Sequence, residues 1–353
     1  MLCRGRSGDG FADLLTLSDV DELVTSSGLR TPALRLVKGG APVPPSSYTT
    51  TPQISGVPIT GLADPRKVLA AIEDGATLVL QGMHRYRPAL RAFCQGLEQR
   101  LGCPAQVNAY FTPPASRGLA VHEDAHDVFV LQCFGSKRWE IHAPDGVWDV
   151  VLQPGDALYM PQGTPHAATA QEALSGHLTI GLLTEPVRDV LAGAVREILR
   201  DEAFDERLPL GWQDEPAVLA SLLKGHLDQL LVRLAAADLD AVAAARADRF
   251  LTGRPSSLLR SLVDWTRLGS LDPDTRVCRR RGSTAVVRIE ADRLRLLLGD
   301  RELRMPAWVE PAVHVLTDGK EYRIGDLPGL DDDASRLVVV RRLVREGLLE
   351  VIG

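Results

Sequence analysis

The sequence predicts an α+β chain in which a small antiparallel β-barrel or sandwich with flanking helices is followed by a helical segment and a mixed end. Three observations carry this. After Cys103, short runs rich in Val, Ile, Leu, Tyr and Phe are separated by "GS", "PDG", "PGD" and "QGTP" turns, the texture of closely spaced strands. From 186 to 268, Ala and Leu recur at helical spacing. From 269 to the end, strand-like runs and a long amphipathic run alternate. The expected divisions are therefore 1–185, 186–268 and 269–353.

In chain order, "GDGFADLLTLSDVDELVTSSG" spaces Leu14, Leu15, Leu17, Val20, Leu23 and Val24 as helices would, with a stop before Gly28. "DPRKVLAAIEDG" and "PALRAFCQGLEQRLG" are two further amphipathic helices, each closed by a glycine. "AQVNAYFT", "VFVLQCF", "KRWEIHA", "DVVLQ", "ALYMP" and "HLTIGLL" are the expected strands. The Ala/Leu faces after 186 suit a dimer surface or ordinary packing within the chain equally well. At the end, "DDASRLVVVRRLVREGLLEVIG" is a helix running into a strand, similar to the close of a winged helix. Basic and acidic residues balance from 271 onward, so that shape has little electrostatic support for DNA binding.

Composition narrows the function classes. The chain has 353 residues, 45% hydrophobic and 24% charged, with a net charge of -6. This describes two or three globular domains and argues against non-specific nucleic-acid binding. Five scattered cysteines form no CxxC pair, which suits a reduced, cytoplasmic protein. "MLCRGRSGDG" leads into no apolar stretch, and no window approaches roughly 18 apolar residues, so neither a secretory signal nor a membrane span is expected.

The chemistry concentrates in "VHEDAHDVFVLQCFGSKRW". As residues i and i+2 of a strand, His122 and Asp124 project from one face and Glu123 points away. An imidazole and a carboxylate so placed can grip one cation. His166, in "PGDALYMPQGTPHAA", can complete the set across an antiparallel barrel. Two histidines, one carboxylate and no sulfur are the pattern of a non-haem Fe(II) site. An HxD triplet also arises by chance, but the "PGD" turn followed by "GTPH" is what a cupin-type barrel uses. In the return strand, Lys137 shares parity with Trp139 and Ile141. It either enters the barrel, where a buried ammonium needs a partner such as a dicarboxylate, or belongs to a solvated "SKR" turn.

The run "HEDAHDVFVLQCFGSKRWEIHAP", with "LQPGDALYMPQGTPHAA", "HLTIGL" and "NAYFTPP", resembles the JmjC-type cupin proteins of the ribosomal-oxygenase class. The likeness extends over nearly the whole chain. It implies a double-stranded β-helix (jelly-roll) JmjC barrel, a helical dimerisation domain and a winged-helix-like end. It implies an Fe(II)- and 2-oxoglutarate-dependent dioxygenase that uses O2 to hydroxylate a side chain of a protein or peptide. Carried over by position, His122, Asp124 and His166 match the iron ligands. Lys137 matches the lysine that pairs with the distal carboxylate of 2-oxoglutarate. Asn108 matches an asparagine lining the co-substrate pocket, and Tyr110 and Thr179 are further candidates there. His126 and Asp127 become neighbours or rim residues, although His126 would share parity with the pair in a regular strand. Glu123 is expected in solvent and His177 in the core. His84, His142, His226 and His314 have no supporting constellation, and Arg85 and Arg87 border either a groove or a solvated turn.

Competing readings are N-methyl-lysine demethylation by the same chemistry, and a non-catalytic cupin that senses a ligand beside a winged helix that binds DNA. The expected partners are a protein or peptide substrate (a ribosomal protein or a small ribosomally made peptide) and a second copy of the chain. Neither a membrane nor a nucleic acid is expected.

Overall fold

The computed structural model describes residues 1–5 and 10–352. They fall into two compact units. The first comprises Met1–Thr184, Ser257–Ser283 and Asp318–Gly353, and the second Glu185–Ser256 and Thr284–Thr317.

The site is built by the first unit. Its main strands are β1 (Leu2–Cys3), β2 (Leu34–Lys38), β3 (Ala41–Pro42), β4 (Thr77–Leu80), β5 (Ala105–Thr112), β6 (Asp127–Phe134), β7 (Lys137–Ala143), β8 (Gly146–Leu152), β9 (Ala157–Met160), β10 (His166–Ala170) and β11 (Ser175–Leu182). Eight form one sheet in the order β1-β9-β6-β11-β5-β4-β2-β3, and three form a second, β8-β7-β10. The barrel pairings are antiparallel, with Val128 opposite Gly181, Thr179 opposite Asn108 and Ile141 opposite His166.

Strand alternation sorts the side chains into two cores. Val128, Val130, Leu158 and Met160 of the large sheet meet Trp139, Ile141 and Leu152 of the small one inside the barrel. Leu131 and Cys133 of β6, with Leu178 and Ile180 of β11, face the other way and pack in a core with the helices. Those helices are α1 (Leu17–Thr25), α2 (Pro65–Glu73) and α3 (Pro88–Leu101). Each begins or ends where local chemistry dictates. A reciprocal capping box joins Thr16 and Asp19 at the start of α1. Proline opens α2 and α3 at a position needing no N–H donor. Gly102 ends α3 in the left-handed conformation.

The N-terminal expectation needs correction. Its first residues, 8–9, lie outside the described residues, and Gly10–Leu14 form turns, not helix. Leu14 and Leu15 are buried because both their N–H groups bond Phe11 O, which folds them into the core. Two adjacent leucines in a tight turn bury as well as two on a helix face.

Residues 187–267 form four helices: α4 (Val187–Ile198), α5 (Pro216–Ala235), α6 (Leu239–Thr252) and α7 (Ser261–Arg267). None of the first three has a buried residue. Leu223, Leu227 and Leu231 make an exposed stripe along α5. In the second unit, β13 (Val286–Glu290), β14 (Arg293–Leu298) and β15 (Arg301–Pro306) form a meander, and α8 (Glu310–Leu316) follows. In the first unit, β12 (Arg276–Arg279) is flanked by β16 (Glu321–Arg323) and β17 (Leu349–Ile352), with α9 (Asp333–Arg345) before β17. Arg280 and Asp264 form a fully buried ion pair there, with Nη2 and Oδ2 2.7 Å apart. Among the described residues no helix is long and apolar enough to cross a membrane.

Candidate active site

His122, Asp124 and His166 come together at one end of the barrel. One donor atom from each lies within 4.8 Å of the other two. His166 is the first residue of β10, but His122 and Asp124 are not in a strand. β6 begins only at Asp127, so strand parity does not bring the pair together. A single antiparallel bridge does. His122 N–H donates to His166 O (3.1 Å) and His166 N–H to His122 O (2.8 Å). Beyond the bridge, Asp124 O accepts from Gly163 N–H at 2.9 Å. Glu123 is exposed, as expected.

The imidazoles are oriented for metal. Nδ1 of His122 lies 2.9 Å from Ala120 O, and Nδ1 of His166 lies 2.8 Å from Thr164 O. A carbonyl oxygen only accepts, so each Nδ1 carries a proton, and in the neutral ring the lone pair is then on Nε2. His166 Nε2 is 3.7 Å from Asp124 Oδ2. Burial, opposed by the bond to Thr164 O, pushes the His166 pKa below its ordinary value, which favours the neutral, ligating form. Two imidazoles and a carboxylate without sulfur fit a hard or borderline divalent cation.

The cavity beside this set is lined by Thr77, Tyr110, Thr112, Lys137, Trp139, Met160, His177 and Thr179, among others. Lys137 is 1% exposed; the surface-turn alternative is thereby excluded. Its Nζ lies 2.9 Å from His177 Nδ1, and among the described residues it has no carboxylate partner. Burial pushes the Lys137 pKa down to about 7. Burial first, then the Lys137 charge, hold His177 well below its ordinary value, so its Nδ1 accepts. The His177 ring is stacked on Tyr110, centroids 5.0 Å apart, and meets Trp139 edge-on at 5.2 Å. A buried amine facing a cavity, with no carboxylate beside it among the described residues, could receive a carboxylate from a ligand.

Six of the seven expected site residues line this one cavity. Asn108 is not in its lining: its Oδ1 accepts from Gly82 N–H at 3.0 Å. His126 stands apart from the metal-capable group. Its Nε2 is 3.2 Å from Gln106 Nε2, and a side chain at Gly181 would collide with its ring. Asp127 accepts from Gln162 N–H and Tyr159 Oη. Arg87 pairs with Asp19.

His177, expected as a hydrogen-bonded core histidine, is buried and hydrogen-bonded, but its partner is Lys137 and it also lines the cavity. Its parity with Thr179 on β11 was the available signal. Thr77 and Thr112, joined through their hydroxyls at 3.2 Å, gave none, because β4 meets β5 only in the folded sheet.

Residues 80–147 and 142–190 match the family model described as JmjC domain. Among curated proteins, the bifunctional lysine-specific demethylase and histidyl-hydroxylase NO66 of Drosophila persimilis is 32% identical over 169 residues, 42% of this chain and 25% of that protein. Its counterpart in Drosophila grimshawi is 32% identical over 179 residues, 43% of this chain and 25% of that protein. The chain thus matches about a quarter of the length of these relatives. Among solved structures, the Escherichia coli ribosomal oxygenase YcfD superposes with a TM-score of 0.55 at 16% identity, covering 100% of this chain and 94% of that one. The same protein in complex with cobalt and 2-oxoglutarate also gives 0.55 at 16% identity, with the same coverage. At this identity the likeness is one of fold: a mixed α/β cupin-type JmjC architecture.

Proposed function

We propose that this chain is an Fe(II)- and 2-oxoglutarate-dependent oxygenase that hydroxylates an amino-acid side chain in a protein or peptide. The observation that carries the reading is the pairing, around one cavity, of a two-histidine, one-carboxylate set with a buried lysine that lacks an anionic partner among the described residues. His122, Asp124 and His166 would hold the metal through two Nε2 atoms and a carboxylate. Lys137 would pair with the distal carboxylate of 2-oxoglutarate, with His177 fixing the ammonium. Tyr110 and Thr179 offer hydroxyls to the same ligand, and Asn108 stands one β11 pairing away from the lining, opposite Thr179. When bound, the metal and co-substrate supply the decarboxylation of 2-oxoglutarate to succinate and CO2, coupled to insertion of one atom of O2 into a substrate C–H bond. The protein's own part is to orient the ligands, to exclude water and, at His166, to favour the neutral imidazole.

The substrate class follows the neighbours: a ribosomal oxygenase by fold, a histidyl-hydroxylase and lysine-specific demethylase by sequence. A ribosomal protein or a small ribosomally made peptide is the proposed target. N-methyl-lysine demethylation is the second reading, favoured by the names of the curated relatives. The finer architecture belongs to the same proposal: division at 185/186 and 268/269, a helical dimerisation domain, a winged-helix-like end and a homodimer. The exposed Leu223, Leu227 and Leu231 stripe supports the dimer. A cytoplasmic location is supported by five free cysteines. The deciding experiment incubates the purified protein with Fe(II), 2-oxoglutarate and O2. Succinate that disappears in His122→Ala supports the reading; no succinate, with or without ribosomal proteins, overturns it in favour of a binding module.

A further inference from the structure

We infer that the turn Pro161–Thr164, locked by the Asp127 carboxylate, is the device that positions the metal-holding side chains, and that Asp127 is a positioning residue of the site. The inference rests on the metal reading above.

The problem the fold has to solve is plain. Asp124 sits in irregular chain ahead of β6, without a strand ladder to hold it. A carboxylate on such a segment ordinarily samples many positions, and its metal affinity falls accordingly. One turn supplies the missing constraints. Gly163, left-handed at φ 73°, directs its N–H to Asp124 O at 2.9 Å. Thr164 O accepts from His166 Nδ1 at 2.8 Å and so sets that ring and its tautomer. The turn itself closes with Thr164 N–H on Pro161 O at 3.2 Å. Two of the three metal-holding residues therefore take their orientation from four consecutive residues.

What holds the turn is Asp127. Its Oδ1 accepts from Gln162 N–H at 2.8 Å and its Oδ2 from Tyr159 Oη at 3.1 Å. Tyr159 lies on β9, which pairs with β6 at Phe129. Asp127 therefore ties the end of the Asp124 segment to both the turn and the neighbouring strand. It touches no substrate-facing surface of the cavity; its action runs through the backbone of Gly163 and Asp124.

The chemistry of the lock decides which substitutions break it. In Asp127→Asn the amide oxygen still accepts from Gln162 N–H, and the amide N–H2 can donate to Tyr159 Oη. Asp127→Ala removes both bonds and leaves Gln162 N–H and Tyr159 Oη without partners. Gly163→Ala leaves the lock in place but strains the one residue whose left-handed backbone aims its N–H at Asp124.

The test uses the full-length protein and Co(II) alone, without 2-oxoglutarate or substrate, read by the visible absorption of bound cobalt and by calorimetry. Asp127→Ala and Gly163→Ala are expected to weaken Co(II) binding about 10- to 100-fold and to change the band pattern. Asp127→Asn is expected to stay within a few-fold of the wild type. Circular dichroism of the metal-free variants checks that the fold persists. If His122→Ala binds Co(II) as the wild type does, the metal reading fails. If His122→Ala loses Co(II) while folded Asp127→Ala and Gly163→Ala keep wild-type affinity and spectrum, the positioning inference fails and the metal reading stands. Equal loss in Asp127→Asn and Asp127→Ala would also overturn it, since the lock would then depend on charge and not on these two bonds.

Discussion

Lys137 Nζ and His177 Nδ1 lie 2.9 Å apart in the barrel interior, one from each sheet, and both residues are buried. The ammonium of β7 thus meets a neutral imidazole of β11 instead of a carboxylate. Among the described residues no carboxylate pairs with this lysine.

The pair makes stability depend on pH in a defined direction. Burial lowers the Lys137 pKa to about 7, against roughly 10.4 in an unfolded chain. Between these values the unfolded chain holds a proton that the folded chain lacks, so stability rises with pH across that window and is lost as pH falls towards 7. Denaturant titrations of the metal-free protein should show a wild-type slope exceeding that of Lys137→Met by about 1.4 kcal/mol per pH unit. Identical slopes would contradict the burial of the ammonium.

The same lysine should govern the co-substrate without governing the metal. Lys137→Met is expected to retain Co(II) binding and to lose 2-oxoglutarate binding by at least about 100-fold, as expected when a buried charge-assisted pair is removed. Thr179→Val, which deletes one neutral hydroxyl, should cost about 2- to 10-fold. Calorimetry on the Co(II)-loaded protein separates the two effects.

Removal of the metal should be reversible. Dialysis against a chelator should abolish succinate formation, and Fe(II) should restore it in the wild type but not in His122→Ala, Asp124→Ala or His166→Ala. Turnover surviving in any of the three would show that the metal is held elsewhere.

Arg280 and Asp264, neither of which lines the cavity, test the C-terminal packing. The Arg280 guanidinium donates to Asp264 Oδ2 and to the carbonyls of Gly347, Leu349 and Leu259. Asp264→Ala leaves a buried charge uncompensated and should destabilise by about 3–5 kcal/mol, read from thermal or denaturant unfolding. An unchanged midpoint would mean that water reaches the site.

The α5 stripe bears on assembly. Leu227→Glu should convert the proposed homodimer to a monomer in light scattering at micromolar concentration while succinate formation persists. A wild type that is already monomeric removes the dimer from the proposal.

Much of the fold was legible because it rests on local periodicity. Lys137, Trp139 and Ile141 alternate with Arg138, Glu140 and His142 in the sequence, and β7 buries the first three while leaving the others at or near solvent. Pro65, Pro88 and Gly102 marked helix ends through backbone geometry alone. Periodicity misled where chain entered the core without regular structure, as at Leu14 and Leu15. It also misled at His122 and Asp124, whose common direction comes from a bridge to His166 and not from a strand.

By itself, the sequence determined the inventory: the HxD pair, the later histidine, the lysine after the Gly-Ser turn, and the strand runs that line them up. Those follow from residue type and short-range spacing, which every stretch of chain carries with it. The tertiary structure alone decided that Lys137 finds His177, that Thr77 reaches the same cavity as Thr179, and that Asp127 holds the turn orienting Asp124 and His166. Each of these joins residues from separate strands or loops. Such contacts exist only once the sheets have paired in register, because no local signal encodes which distant strand will lie opposite.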